Sequence, residues 1–482
     1  MRPLLRDLTE KALALVLGLF LLLPLFRGGN TDLAMKCALV GGVALLLLTV
    51  LLVALSMPVP PTPSTPAVIA LAAITLLLIY GAASLVTVDM TTWLSLPGRA
   101  VYAPLAELLS APPLAVDALA LSLDPPGTTR ALLALAPCIP IALAALALSR
   151  RSLLVVLGAF CLLATFEALI GLFQLGFRGA SSVFVLDYVG HSRASGTFVN
   201  KNHFATLLAM ALPLMIFRTA GQFAFFSSQS EQAPLSNVWW GVATAFVAAA
   251  LVASLSRAGV LAGGIAATVA ITLCLRGQQS RSRQALTVVL IIAALAASLA
   301  SMTGLGQLVR SMSGSALDGG VSSRWLMNAH TWDGVVAFFP MGAGLGSYAI
   351  AFQRFQTPQL IGFIEYAHND YLQLLFETGI IGVIALALLV VAAAMVARSF
   401  WRERATNQRL SPALACYLGA LAFAIHAWFD FPSHIPGTAI IVTLLFAASM
   451  NGRLTGLVRR RASNASPDAP LLREARPLAP PP

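Results

Sequence analysis

Apolar residues fall in runs of a length suited to a bilayer, separated by short polar interruptions. The runs cover about residues 12–26, 37–57, 67–86, 131–149, 152–176, 203–217, 238–255, 258–275, 285–302, 373–397, 412–428 and 434–450. About 20 apolar residues in a helix cross the hydrocarbon core. The pattern therefore predicts an all-α polytopic membrane protein of about twelve transmembrane helices. The second and third runs flank PVPPTPSTP, which cannot continue a helix, so they form a helical hairpin. The first run is short. Asp7 and Glu10 precede it and no small-residue cleavage pattern follows, which favours a first transmembrane helix over a signal peptide, with Lys11 and Arg27 snorkelling at its ends. Residues 87–130 mix acids, prolines and apolar residues and read as an outer loop with short interfacial helices. The longest water-compatible stretch, 303–372, is a large outer loop between the ninth and tenth helices.

Composition agrees: 58% of residues are hydrophobic and 10% charged, against about 25% charged in soluble proteins. The net charge of +11 concentrates in the loops of one face. This is the positive-inside signature, which makes both termini cytoplasmic and leaves no excess that requires a nucleic acid. The five cysteines lie in apolar runs, and the six histidines fall at the outer side without ligand spacing, so no disulfide framework, metal site or cofactor is implied. Beyond Arg453 the tail is basic, then Pro/Ala-rich, and reads as disordered beside anionic lipid.

Candidate chemistry gathers on the outer face. EYAHNDYLQLLFETG ends the large loop, with Asn369 as a helix N-cap and Asp370 in the first turn. That places His368 at a helix N-terminus, where the partial positive charge favours the neutral imidazole a general base needs; the alternative is a capping or interfacial histidine. HSRASGTFVNKNHFA crowds Asn200, Lys201 and Asn202 at the start of the sixth run, either an anion site or ordinary capping. Arg257 sits in a very short outer turn, a functional candidate unless it snorkels. Arg324 follows a flexible glycine pair in GGVSSRW, and Gly342, Gly344 and Gly346 read as a tight turn, since no strand-turn-helix context supports a dinucleotide fingerprint.

Two arginines and a histidine at a membrane surface suit glycosyl transfer from a lipid diphosphate: Arg257 and Arg324 bind the phosphates bidentately, and His368 deprotonates an acceptor hydroxyl. A single displacement inverts the anomeric carbon and needs no metal. A hydrolase using Glu365 and Asp370 is a weaker alternative, because both acids also serve as caps or solvated charges.

At SRASGTFVNKNHFA, SRAGVLAGG, SSRW with FFPMGAGLGSY, and YAHNDYLQLLFETGIIG, the sequence resembles the O-antigen ligase and O-antigen polymerase superfamily, bacterial membrane glycosyltransferases of the C type. The resemblance divides the chain into N-terminal helices (1–184), a ligase-like membrane domain (185–452) and the tail (453–482). It implies His368 as the catalytic residue, Arg257 and Arg324 as diphosphate ligands, and Arg193, Lys201, Asn202 and Asp370 as further donor or acceptor contacts. It implies an undecaprenyl diphosphate-linked glycan as donor, lipid A-core or a growing glycan as acceptor, surrounding membrane lipids, an inner-membrane location and a periplasmic site. The shared motifs leave ligase and polymerase open. A transporter of lipid-linked substrates is the alternative of another class, disfavoured because Glu167 is the main ionisable residue deep in a span.

Overall fold

The computed structural model describes residues 1–29, 31–56, 63–176, 193–226, 234–276, 317–404 and 410–455. In order these form α1 (Arg2–Phe20), α2 (Asp32–Leu55), α3 (Thr65–Ala83), β1 (Thr87–Asp89), α4 (Met90–Ser95), α5 (Ala103–Ser110), β2 (Ala118–Ala120), α6 (Pro125–Leu135), α7 (Cys138–Ala147), α8 (Arg150–Gly176), α9 (Lys201–Thr219), α10 (Pro234–Ala253), α11 (Arg257–Arg276), α12 (Leu317–Phe338), α13 (Asp370–Arg404), α14 (Pro412–His426) and α15 (Pro436–Ser449), with short helical turns between them. The architecture is helical and polytopic. Among the described residues, eight segments are long and apolar enough to cross a membrane: Arg2–Leu25, Asp32–Leu55, Thr65–Ala83, Pro125–Ala147, Arg150–Leu175, Ser236–Ala253, Arg257–Arg276 and Asp370–Arg402.

Four of the twelve predicted runs are not among these eight. The run at 203–217 becomes α9, whose residues are buried from Asn202 to Thr219. It packs against α8, α10, α11 and α14 as the central post of the bundle. The last two runs become helices of 15 and 14 residues. At 1.5 Å per residue these reach only ~22 Å, short of a bilayer core. The run at 285–302 lies outside the described residues.

The outer segments differ more. The 87–130 loop carries short helices as expected, together with one small antiparallel ribbon in which β1 pairs with β2, Thr87 opposite Ala120, a local feature of an otherwise helical chain. In the large loop, Arg324, Trp325, His330 and Asp333 all belong to α12 rather than to a flexible segment. Residues 303–316 and the tail from 456 onward lie outside the described residues; ahead of them the chain is anchored, with Asn451 Nδ2 donating to Ala145 O at 2.8 Å and Arg453 Nη1 to Ala147 O at 2.7 Å.

Close helix packing sets up the outer end. Gly259 and Gly263 stand one turn apart on α11, and a Cβ at either would press on Ala205 or on Leu251 and Ala209. Small residues let the α9 and α11 backbones approach, which brings the first residue of α11, Arg257, toward the first residue of α9, Lys201.

Candidate functional site

Where the N-terminal ends of α9 and α13 meet the C-terminal end of α14 a cavity of about 670 Å³ opens, lined by Arg27, His203, Arg324, Glu365, Tyr366 and His368 among others. His368 stands just before Asn369, the N-cap of α13. Its φ of 50° is uncommon for a non-glycine residue. The surrounding bonds hold that geometry: Asn369 Oδ1 caps the helix by accepting from Leu372 N (3.1 Å), Asp370 N donates to Ala427 O (2.9 Å), and Ala367 N donates to Gln373 Oε1 (3.0 Å). The N-cap reading of Asn369 and the tight turn of Gly342, Gly344 and Gly346, each with positive φ, both match the structure.

The turn after α14 brings Asp430 beneath His368. Its side chain is wholly buried. His368 Nδ1 lies 3.1 Å from Asp430 Oδ1, which also accepts from Phe431 N at 3.0 Å, while Asn202 Nδ2 donates to Oδ2. Burial pushes the Asp430 carboxyl up, but the hydrogen bond from His368 and the charges of His203, His368 and His426 outweigh it and hold the group below the ordinary carboxylate range. An ionised carboxylate only accepts, so in the neutral form of the imidazole the His368 proton resides on Nδ1 and the Nε2 lone pair is free for substrate.

A cationic group adjoins this pair. Lys201 donates to Leu255 O at 2.8 Å and lies in the fields of Arg193, Arg324 and Arg257, opposed by Asp430. Arg324 donates to Phe429 O at 3.2 Å, next to Asp430, and faces the cavity. Thus Arg324 and His368 share the cavity, Asn202 supports it from behind through Asp430, and Arg193, Lys201 and Arg257 form the adjoining positive patch. Asp370 is committed elsewhere, taking His434 Nδ1 at 2.9 Å and Ser433 N at 2.9 Å.

The motif before α9 is held by α8. Glu167, wholly buried, accepts from Thr197 N at 2.8 Å, and Gln174 binds Gly196 O at 2.7 Å. Glu167 is therefore a structural staple that fixes the SGT turn. Among the described residues, no group of three or more His, Cys, Asp or Glu is arranged to hold a metal.

Sequence reasoning overlooked Asp430, noted only as part of an outer turn, and took Arg27 as a snorkelling charge. The signal for Asp430 was an acid in a very short turn between two apolar helices, FDFPSH, where solvation alone does not account for it.

The stretch that supplies α11, α12 and the start of α13 carries Arg257, Arg324 and His368 in that order. Residues 242–387 match the O-antigen ligase family model. The match supports the O-antigen ligase and polymerase superfamily. Members are membrane glycosyltransferase-like enzymes whose substrates are, in general, a lipid-linked glycan and an acceptor. No curated protein matches the chain. The matched segment includes Arg257, Arg324, His368 and Asp370; Arg193, Lys201, Asn202 and Asp430 lie outside it.

Proposed function

We propose that the protein transfers a polysaccharide from undecaprenyl diphosphate to an acceptor hydroxyl, lipid A-core in the ligase form of the reaction, at the periplasmic face of the bacterial inner membrane. The observation that carries this reading is the His368–Asp430 pair opening into a cavity that also contains Arg324. His368 Nε2 takes the acceptor proton as the hydroxyl oxygen attacks the anomeric carbon. The bond from that carbon to the diphosphate breaks on the opposite side, the configuration inverts, and undecaprenyl diphosphate departs with the bonding pair. Asp430 stabilises the imidazolium that forms. Arg324, and Arg257 with Lys201 beside it, offset the phosphate charge; guanidinium groups do so in permanently charged, bidentate geometry. This displacement requires no metal.

Extension of a repeat-unit chain by a polymerase would use the same base and cations, with a growing glycan as acceptor. The test uses purified protein in proteoliposomes, given a synthetic undecaprenyl diphosphate oligosaccharide with either rough-type lipopolysaccharide or a second lipid-linked oligosaccharide. Transfer to lipopolysaccharide, lost in His368→Ala, is the expected result. Chain growth on the lipid carrier alone would establish the polymerase. Equal activity of wild type and His368→Ala would overturn the mechanism.

A further inference from the structure

His203 is the second histidine of the cavity, and neither the base nor the cation machinery employs it. It lies in the first turn of α9, is 4% exposed, and lines the same cavity as His368. Its Nε2 is buried and has no hydrogen-bond partner among the described residues. Buried polar nitrogens are almost always paired, so an orphan on a residue that lines a cavity marks that residue as a candidate partner for a ligand atom.

The neighbouring rings indicate which ligand. His203 and His368 each approach the Phe431 ring edge-on, both at 4.8 Å between centroids, while Tyr366 stacks on Phe431 at 4.2 Å. Both imidazoles thus pack against one aromatic side chain that also lines the cavity. Imidazole nitrogens pair equally well with a hydroxyl acting as donor or acceptor. The phosphates, by contrast, have the cations Arg324 and Lys201 for partners.

We propose that His203 Nε2 binds a second hydroxyl of the acceptor sugar, the one whose reacting hydroxyl meets His368, and so selects which sugar presents its oxygen to the base. This rests on the glycosyl-transfer reading above. The bond leaves the electron flow unchanged and acts on acceptor orientation alone.

Steady-state kinetics in proteoliposomes, with the synthetic lipid-linked donor and rough-type lipopolysaccharide as acceptor, test the inference. In His203→Phe, which keeps a ring against Phe431, acceptor KM should rise roughly tenfold, the loss of one neutral hydrogen bond, with donor KM near wild type. His203→Gln restores a polar group and should recover most of the loss. If His203→Phe does not fold, the Gln variant is paired with an acceptor lacking the sugar's hydroxyls one at a time. One deoxy acceptor should then be discriminated by wild type and not by His203→Gln if Gln fails to make the bond, or by both if it succeeds. An acceptor KM equal to wild type in a folded His203→Phe, a change confined to donor KM, or no deoxy acceptor discriminated by wild type overturns the assignment. A wild type that transfers nothing, while still stabilised against heat by undecaprenyl diphosphate, removes the transfer reading itself and the inference with it.

Discussion

Asp430→Asn isolates what the buried carboxylate does for His368. The wild-type side chain accepts from His368 and Phe431 N on one oxygen and from Asn202 on the other. Asparagine is nearly isosteric but has a single acceptor oxygen. In one orientation that oxygen keeps His368 and Phe431, and Asn202 satisfies the new amide by rotating its own. In the other, the amide donates to His368 Nδ1, which then takes the lone pair, and the proton moves to Nε2, where it blocks the base. Either way the negative charge that supports the imidazolium is gone. Hydrogen bonds to charged groups contribute about 1.5–3 kcal/mol, so stability falls by an amount of that order. Activity should fall much further, by roughly 10³–10⁴ in kcat, the scale of loss when the catalytic histidine of a serine protease is deprived of its orienting carboxylate. The assay is single-turnover transfer from the lipid-linked donor in proteoliposomes, with thermal unfolding of each variant in parallel. An Asp430→Asn protein within tenfold of wild-type kcat would refute the assignment of Asp430 as the orienting group and of Nδ1 as the protonated nitrogen.

Arg324→Lys and Arg257→Lys keep the charge but lose the guanidinium fork, so each should lower kcat/KM at least tenfold; saturation curves against donor concentration decide, and undiminished activity removes that residue from phosphate binding. Gly196 has φ +57°, and a Cβ there would collide with the Glu167 carboxylate. Gly196→Ala should therefore cost about 2–4 kcal/mol of stability, read as a fall in thermal midpoint, and an unchanged midpoint would contradict the staple. The depressed Asp430 carboxyl stabilises the fold fully above about pH 4, and that contribution is lost as pH falls through its lower folded value. Midpoints measured down the acid range should show Asp430→Asn lacking the most acidic part of the wild-type decline; parallel curves would contradict the depressed value.

The apolar runs and basic loops by themselves determined the helical, polytopic character of the protein, because burial of apolar length and placement of cations are summed along the chain and need no knowledge of neighbours. Local structure was equally legible where it depended on a few consecutive residues: the Asn369 cap and the glycine turn at 342–346. Which helices face lipid was not legible. The α9 run is as apolar to the eye as its neighbours, and only packing on all sides shows it to be the central post. The partner of His368 was hidden for a related reason: Asp430 lies 62 residues further on, in a different turn. A hydrogen bond between distant segments leaves no periodicity in the sequence, and it is the packing of α14 on α9, with Asp370 N bonded to Ala427 O, that brings this acid, rather than Asp370 or Glu365, to the histidine.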